Sequence, residues 1–562
     1  MDRTLVFWGK TFGGADGSPP PQSPAAYKPV LHHMLDVAAV ALTFLQSHPA
    51  RAEREAAAFG LSTEEYARLA SFFAGLHDLG KFTRNIQFKR ADLWPEALGA
   101  RPVGIVREPL HWQATAALLS SSPLNADFRR YAPQLHAGAE YPLVAAIAGH
   151  HGRPPSDKYL KIPGGGGGWI DAACIEAARA AFSRLEGLAS PAYATDLDDD
   201  SVAAVSWRLS GLITLADWIG SDADHFGPAP LDIPLEVYWR EAQRCAAEAL
   251  TAKGLTPLKP AARLRLADFA PAAAAIAPRP MQGLAETVAL GRGPQLVVIE
   301  DSTGSGKTEA VILLAARMMA ARLGEGLYIA LPTMATANAM HERLGKIVKK
   351  LFAPSESGEP SLILSHGKAE LSRAMAALRV NVTQDGEETT AASCNAWIAD
   401  DRRRAFFADV GVGTIDQAFL AVLPKKHLTL RQYALAGRIL IVDEAHCFDA
   451  YMKEELSALL RLHAMNGGSA IVLSATLSQK ARRKTAEAFF NGLGQSKKQS
   501  LKQARACVSV AYPLMTCVDA SGVRELESPL AEGLARSVRI VRGVPGDHSV
   551  VDCRVLRDVG RL

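Results

Sequence analysis

Histidines and aspartates gather in the first part of the chain: nine of its fifteen histidines fall within residues 1–225. His77-Asp78 closes a helical run in GLHDLGKF. His33 stands in LHHMLDVAAVA and His111 in EPLHWQATA. His150 and His151 are adjacent in AGHHGRPP, and Asp217 lies in GLITLADWIGSD. An isolated His-Asp pair reads as a hydrogen bond inside a helical core, because buried polar groups must be paired. Seven imidazole and carboxylate groups recurring in this order read instead as a ligand set. Such a set suits divalent transition metals, and a bridging carboxylate can hold two of them. Two metals close together clamp a phosphoryl group and activate a water for in-line attack.

These groups need helices to position them. Ser62-Thr-Glu-Glu65 fits a capping box, in which hydroxyl and carboxylate satisfy the first free N–H groups. Tyr66, Leu69, Ala70, Phe73 and Leu76 then recur every three or four residues as one buried stripe. His77, four beyond Phe73, faces the same interior side, and Gly80 is placed to end the helix. Asp217 follows Ile213 by four and also faces an apolar side. The spacing predicts an all-α unit over residues 1–245 and a Pro/Ala-rich linker over 246–280.

From Gln295 short β-branched runs alternate with helices, the signature of a parallel sheet with crossovers. QLVVIED reads as a buried strand, STGSGKT as a turn and EAVILLAARMMAARL as a helix. In the loop Thr303-Gly304-Ser305-Gly306 the glycines let backbone wrap phosphate oxygens. Lys307 reaches the outer phosphates, and the Thr308 hydroxyl can hold Mg²⁺. The position of the first glycine in the usual pattern is Asp301.

Further short motifs follow in order. LYIALPTMATANAM leads from a strand into a helix start, where Thr333 and Thr336 can meet a strand's backbone. GVGTIDQAF contributes Thr414. RILIVDEAH delivers Asp443, placed to hold Mg²⁺, and Glu444, placed to position the attacking water. AIVLSATLS supplies Ser474 and Thr476. QKARRK and KKQSLKQAR read as solvated helical charge runs.

The first unit resembles the HD phosphohydrolase superfamily, with its H…HD…D pattern. That resemblance implies that His33, His77, Asp78 and Asp217 hold one metal and that Asp78 bridges to a second held by His111, His150 and His151. It also implies that Lys81, in HDLGK, stabilises the scissile phosphate. His32 is the nearest rival to His33. The second unit is similar to the first RecA-like lobe of superfamily 2 DEAH-box helicases. There Gln282, ending PRPMQ, would read adenine, Ser474 and Thr476 would couple ATP state to strand grip, and the first loop glycine is often relaxed. The pairing resembles the CRISPR-associated helicase–nuclease of type I systems, over roughly residues 1–520. GLHDLGKF, AGHHGRPP, LADWIGSD, TGSGKTEA, WIADDRRRAF, VGTIDQAFLAVLPKKH and VDEAHCFDAYM carry that likeness.

What the resemblance implies is hydrolysis of single-stranded or R-loop DNA at a two-metal HD site, with Fe, Mn, Co, Ni or Mg as candidate ions. ATP with Mg would bind the lobe, and an RNA-guided CRISPR surveillance complex would recruit the protein. Residues 281–490 are expected to form the first lobe and 491–562 a tail that starts an incomplete second. Only 86 residues follow Thr476, too few for another lobe, so a separately encoded second lobe is an expected partner and ATP turnover by this chain is expected to be impaired. Two other readings are an HD phosphohydrolase of small nucleotides and an inactive remnant or binding subunit.

Net charge is +4, too mild to mark a nucleic-acid protein and compatible with one if basic residues cluster. The seven cysteines form no C-x-x-C pair, which argues against a disulfide frame and for a reducing, cytoplasmic setting. MDRTLVFWGKTFGG lacks the apolar run of a secretion signal. No membrane partner is expected, since no stretch of about 18 uninterrupted apolar residues occurs.

Overall fold

Helix α1 (Val30–Ser47) is buried along almost its whole length, because small residues such as Ala38, Ala39 and Ala41 let neighbouring helices close on every side. Around it pack α2 (Thr63–Gly75), α5 (Asp199–Gly220) and α6 (Leu235–Ala252). Between them in the chain lie α3 (His111–Ser121) and α4 (Tyr141–Ala148). A short ribbon of β1 (Trp8–Thr11) and β2 (Tyr27–Pro29) pairs antiparallel and leads into α1. This computed structural model describes residues 3–11, 27–101, 109–155, 169–270, 278–355, 358–365, 405–423 and 427–527. WIADDRRRAF as far as residue 404, three residues of VGTIDQAFLAVLPKKH, part of the linker and the tail beyond 527 lie outside them.

The capping box of α2 is formed. Ser62 N donates to Glu65 Oε2 at 2.9 Å, and Glu65 N donates to Ser62 Oγ at 3.3 Å. The stripe Tyr66, Leu69, Ala70, Phe73 and Leu76 is buried. The helix ends at Gly75, earlier than the expected stop at Gly80, and a 3₁₀ turn spans Leu76–Phe82. Asp78 leaves helical geometry there, at φ −108°, ψ 15°. Gly80 serves a different purpose: a Cβ on it would lie 1.9 Å from the His111 carbonyl oxygen. The tight turn therefore lets α3 approach closely enough to bring His111 towards Asp78.

The second unit is built on an eight-stranded sheet. Its strands are β3 (Leu296–Glu300), β4 (Gly326–Leu331), β5 (Leu362–Ser365), β6 (Val410–Thr414), β7 (Arg438–Val442), β8 (Ala470–Ser474), β9 (Leu514–Asp519) and β10 (Gly522–Glu527). The order across the sheet is β10-β9-β3-β8-β7-β4-β6-β5. From β3 to β5 every pairing is parallel, and β3 and β8 run in register from Leu296↔Ala470 to Glu300↔Ser474. The chain after residue 490 differs from expectation. Instead of opening a second lobe, β9 pairs antiparallel with β3 and β10 with β9, so residues to 527 complete this same sheet. The unpaired edge of β3 is thereby covered, which removes an exposed row of backbone donors and acceptors.

The expected linker also begins later than residue 246, because α6 runs to Ala252 and buries Ala246, Ala249 and Leu250 against the first unit. QKARRK is not wholly solvated. It lies in α11 (Gln479–Gly492), where Arg482 is buried and ion-paired to Glu300 at 2.5 Å and to Glu525 at 3.2 Å. The two units meet through a buried ionic cluster. Arg51, on helix Pro49–Ala57, reaches Glu325 at 3.2 Å and donates to the Tyr433 carbonyl of α10 (Leu428–Ala436) at 2.9 Å. By length and composition α1 and α5 could each cross a membrane, but 83% and 78% of their apolar windows are buried inside this fold.

Candidate metal centre and nucleotide cleft

Four elements converge on Asp78. Its Oδ2 lies 3.3 Å from His33 Nε2 of α1, 3.2 Å from His77 Nε2 and 2.8 Å from Lys81 Nζ. Its Oδ1 faces the other way, 3.5 Å from His111 Nε2 and 4.0 Å from His150 Nε2. Asp217 Oδ1 of α5 lies 3.3 Å from His33 Nε2 and 3.5 Å from His77 Nε2. His151 Nε2 sits 2.8 Å from His111 Nε2. The potential ligand atoms thus form groups His33/His77/Asp217, His77/Asp78/His150 and His111/His150/His151, each within 4.8 Å. One carboxylate stands between two nitrogen-rich groups, each of its oxygens facing one of them.

The backbone sets the tautomers. His77 Nδ1 donates to the Ala74 carbonyl at 2.8 Å and His150 Nδ1 to the Ile147 carbonyl at 3.1 Å. Both rings therefore aim Nε2 inward, the arrangement that orients metal-binding imidazoles. The Thr115 hydroxyl donates to the His77 carbonyl and accepts from Gly80 N, both at 2.9 Å, pinning the turn between them. Among the described residues His33 Nε2, His77 Nε2 and Asp78 Oδ1 are buried without a hydrogen-bond partner, a costly state for polar atoms unless a cation satisfies them. His32, the rival to His33, stacks on Tyr238 with ring centroids 3.9 Å apart and belongs to the core beside the site.

The charges agree with a cation site. Burial opposes the charge on Asp78, yet His77 and Lys81 hold its carboxyl well below the usual range. Burial likewise opposes the Asp217 charge, and His33 and His77 hold it well below as well. His77 is drawn up to about 9 against its burial, because Asp78 and Asp217 both attract a proton onto it. Two carboxylates so placed compete for any positive charge available. His33 and His150 are pushed down to about 4 and His151 to about 3, mainly by burial. Neutral imidazoles are the form that ligates metal. Nitrogen and oxygen donors in this mixture fit divalent first-row ions.

In the second unit, the loop after β3 wraps a cleft of about 400 Å³. Gln282 of helix α7 (Pro280–Thr287), Thr303, Gly304, Gly306, Lys307 and Thr308 line it, with Asp443 and Glu444 from the end of β7. Ser305 does not line it; its backbone closes the loop through a 3.2 Å bond to the Ser302 carbonyl. Gly306 has φ 84°, and a Cβ there would meet Gln282 Nε2 at 2.4 Å. Lys307 opens helix α8 (Lys307–Ala320), and its ammonium donates to the Asp301 carbonyl at 2.6 Å. Asp301 is not among the positive-φ residues, so its position does not require glycine, and its carboxylate accepts from Ser302 N at 2.7 Å. Burial raises the Asp443 carboxyl, Glu444 adds to that and Lys307 opposes it.

The strand-tracking candidates separate. Thr333 and Thr336 are exposed and cap helix α9 (Met334–Gly345) reciprocally. Thr476 is exposed, Ser474 is buried with its hydroxyl donating to the Thr476 carbonyl at 2.9 Å, and Thr414 is buried at the end of β6. Several residues at these sites escaped the sequence reading. Arg279 donates to the Gly304 carbonyl, Arg343 lines the nucleotide cleft, and His446 Nδ1 accepts from Ala475 N at 3.2 Å. Lys10 of β1 lies beside Asp217. Burial presses its ammonium down to about 8, while Asp217 and Asp78 raise it and Lys81 lowers it.

Comparison with known proteins follows the same division. Residues 8–226 match the family described as Cas3, HD domain, and residues 279–484 match DEAD/DEAH box helicase. A CRISPR-associated endonuclease/helicase Cas3 of Thermus thermophilus is 34% identical over 512 residues, 87% of this chain and 51% of that protein. The crystal structure of T. fusca Cas3-AMPPNP superposes with a TM-score of 0.72 at 27% identity, covering 93% of this chain and 56% of that one. A chain of a CRISPR RNA-guided surveillance complex in a pre-nicking state matches at a TM-score of 0.63 and 26% identity, covering 93% and 53%. The chain spans about half the length of the curated relatives it matches.

Proposed function

We propose that this chain, which carries a Cas3 HD domain joined to a DEAD/DEAH box helicase domain, hydrolyses phosphodiester bonds of single-stranded DNA in CRISPR interference. The observation that carries the proposal is Asp78, a buried carboxylate whose two oxygens face separate imidazole groups. His33, His77, Asp78 and Asp217 would hold one divalent ion, and Asp78, His111, His150 and His151 a second. Bound there, such a pair supplies Lewis-acid charge and a water of lowered pKa. Lys81, already 2.8 Å from Asp78, places an ammonium where negative charge grows on the phosphate. The Nδ1–H bonds of His77 and His150 keep those rings aimed while charge redistributes.

ATP with Mg²⁺ is read as the occupant of the β3 cleft. Gln282 would meet adenine, Thr303, Gly304, Gly306 and Lys307 the phosphates, Thr308 and Asp443 the Mg²⁺, and Glu444 the attacking water. Ser474 pairs with Glu300 at the end of β3, just before the phosphate loop, and Thr476 follows two residues later; the two would pass a change in that loop on to a bound strand, which Thr333 and Thr336 would also meet. Rapid ATP turnover in related enzymes needs arginines reaching the phosphates from a further element, so a second lobe is read as this domain's partner. The likeness to a chain of a surveillance complex supports an RNA-guided complex holding R-loop DNA as the recruiting partner. Incubation with circular single-stranded DNA and Mn²⁺ tests the proposal: the wild type should cut and Asp78→Ala should not. Nucleotide monophosphates in excess should leave cutting unchanged; strong competition would favour a small-nucleotide phosphohydrolase.

A further inference from the structure

We propose that Lys10 is a further substrate-contacting residue of the metal site, an ammonium that binds a phosphodiester oxygen of the strand next to the one met by Lys81; this rests on the nuclease reading above. The ribbon register pairs Lys10 with Lys28, and the two differ in a telling way. Lys28 is a structural lysine, fully buried, bonded to Asp36 at 2.5 Å and to the Phe226 carbonyl at 2.6 Å. Lys10 keeps some exposure, and its ammonium donates to the Ser221 hydroxyl. Among the described residues no carboxylate lies within ion-pair distance of it. Ser221 in turn donates to Asp217 Oδ1 at 3.1 Å, so Lys10 stands one hydroxyl away from a metal-ligand candidate.

The strand that carries Lys10 is fixed against the site. Lys81 donates to the Gly9 carbonyl at 3.2 Å as well as to Asp78. A Cβ on Gly9 would lie 2.9 Å from Val30 Cα, so β1 is pressed onto the start of α1, three residues before His33. Lys81 thus links Asp78 to the strand that carries Lys10, and Lys10 reaches Asp217 through Ser221. Divalent ions held by those aspartates would neutralise the carboxylates and leave a second ammonium no acid to balance. A phosphodiester supplies the missing anion. A lysine of purely structural use would be expected to hold a carboxylate, as Lys28 does.

The test uses the full chain. With Mn²⁺, Lys10→Met should raise the KM for cleavage of a short oligothymidylate about tenfold, equivalent to about 1.4 kcal/mol. The drop in kcat should be smaller, Mn²⁺ affinity measured by calorimetry should be unchanged, and Lys10→Arg should restore most of the binding. Independently of any variant, acetic anhydride labelling of the wild type should show Lys10 protected by the oligonucleotide with Mn²⁺, and not by Mn²⁺ alone. The inference is overturned if Lys10→Met keeps the wild-type KM or loses Mn²⁺ as Asp217→Ala would. It is also overturned if the oligonucleotide leaves Lys10 labelling unchanged. A wild type that neither cuts nor binds the oligonucleotide would instead sink the nuclease reading itself.

Discussion

Glu325, at the seam between the two units, carries a stability prediction that can be worked through in numbers. It is buried, with Arg51 at 3.2 Å, His48 at 3.8 Å and Arg438 at 4.0 Å. Burial alone would raise its carboxyl, but His48, Arg51 and Arg438 bring it from 4.5 to about 2. At 1.36 kcal/mol per pH unit, that difference is worth about 3 kcal/mol at neutral pH. Because the folded-state value is the lower one, this stability is full above pH 4.5 and is lost as pH falls towards about 2. His48, pressed by burial from 6.5 to about 4, acts in the same direction at higher pH: the unfolded chain gains its proton first, and stability falls between those values. Glu325→Gln leaves Arg51 and Arg438 buried without the carboxylate that pairs with them, which should cost about 3–5 kcal/mol at pH 7. Urea unfolding at pH 7 and at steps down to pH 3 measures both effects. The variant should be less stable at neutral pH and should lose less on acidification below pH 4.5. A change under 1 kcal/mol with an unaltered pH profile would refute the reasoning.

Other substitutions test other parts of the structure. Gly80→Ala forces a methyl onto the His111 carbonyl, so we expect a loss of about 1–3 kcal/mol in thermal unfolding together with weaker Mn²⁺ binding by calorimetry. Lys307→Ala should abolish binding of a fluorescent ATP analogue in a titration while Mn²⁺-dependent cutting of single-stranded DNA persists. Ser62→Ala removes the capping box of α2 and should cost about 1 kcal/mol in urea unfolding, with metal affinity unchanged.

The gathering of the seven candidate ligands was legible in the sequence because their chemistry is carried by residue type and order, and helical spacing already turned His77 and Asp217 inward. The phosphate loop and Asp443-Glu444 were legible for the same reason: strand, turn and helix are encoded locally. Features decided by distant contacts were not. The stop of α2 at Gly75 and the use of Gly80 depend on α3 arriving from some thirty residues later. Arg482 sits in a run of cations that looks solvated, and only Glu300 and Glu525, far away in the chain, draw it into the core. β9 and β10 read as an entrance to another lobe because nothing local states that β3 has an open edge for them. Lys10 reaches the site through a strand pairing and a hydroxyl, neither of which leaves a motif.

The central claim is that Asp78 bridges two ions that cut DNA. Metal-stripped protein should be titrated with Mn²⁺ while cleavage of circular single-stranded DNA is followed, beside Asp78→Ala. The account predicts activity that saturates at two equivalents per chain in the wild type and none in the variant. Saturation at one equivalent, or equal cutting by both proteins, would contradict it.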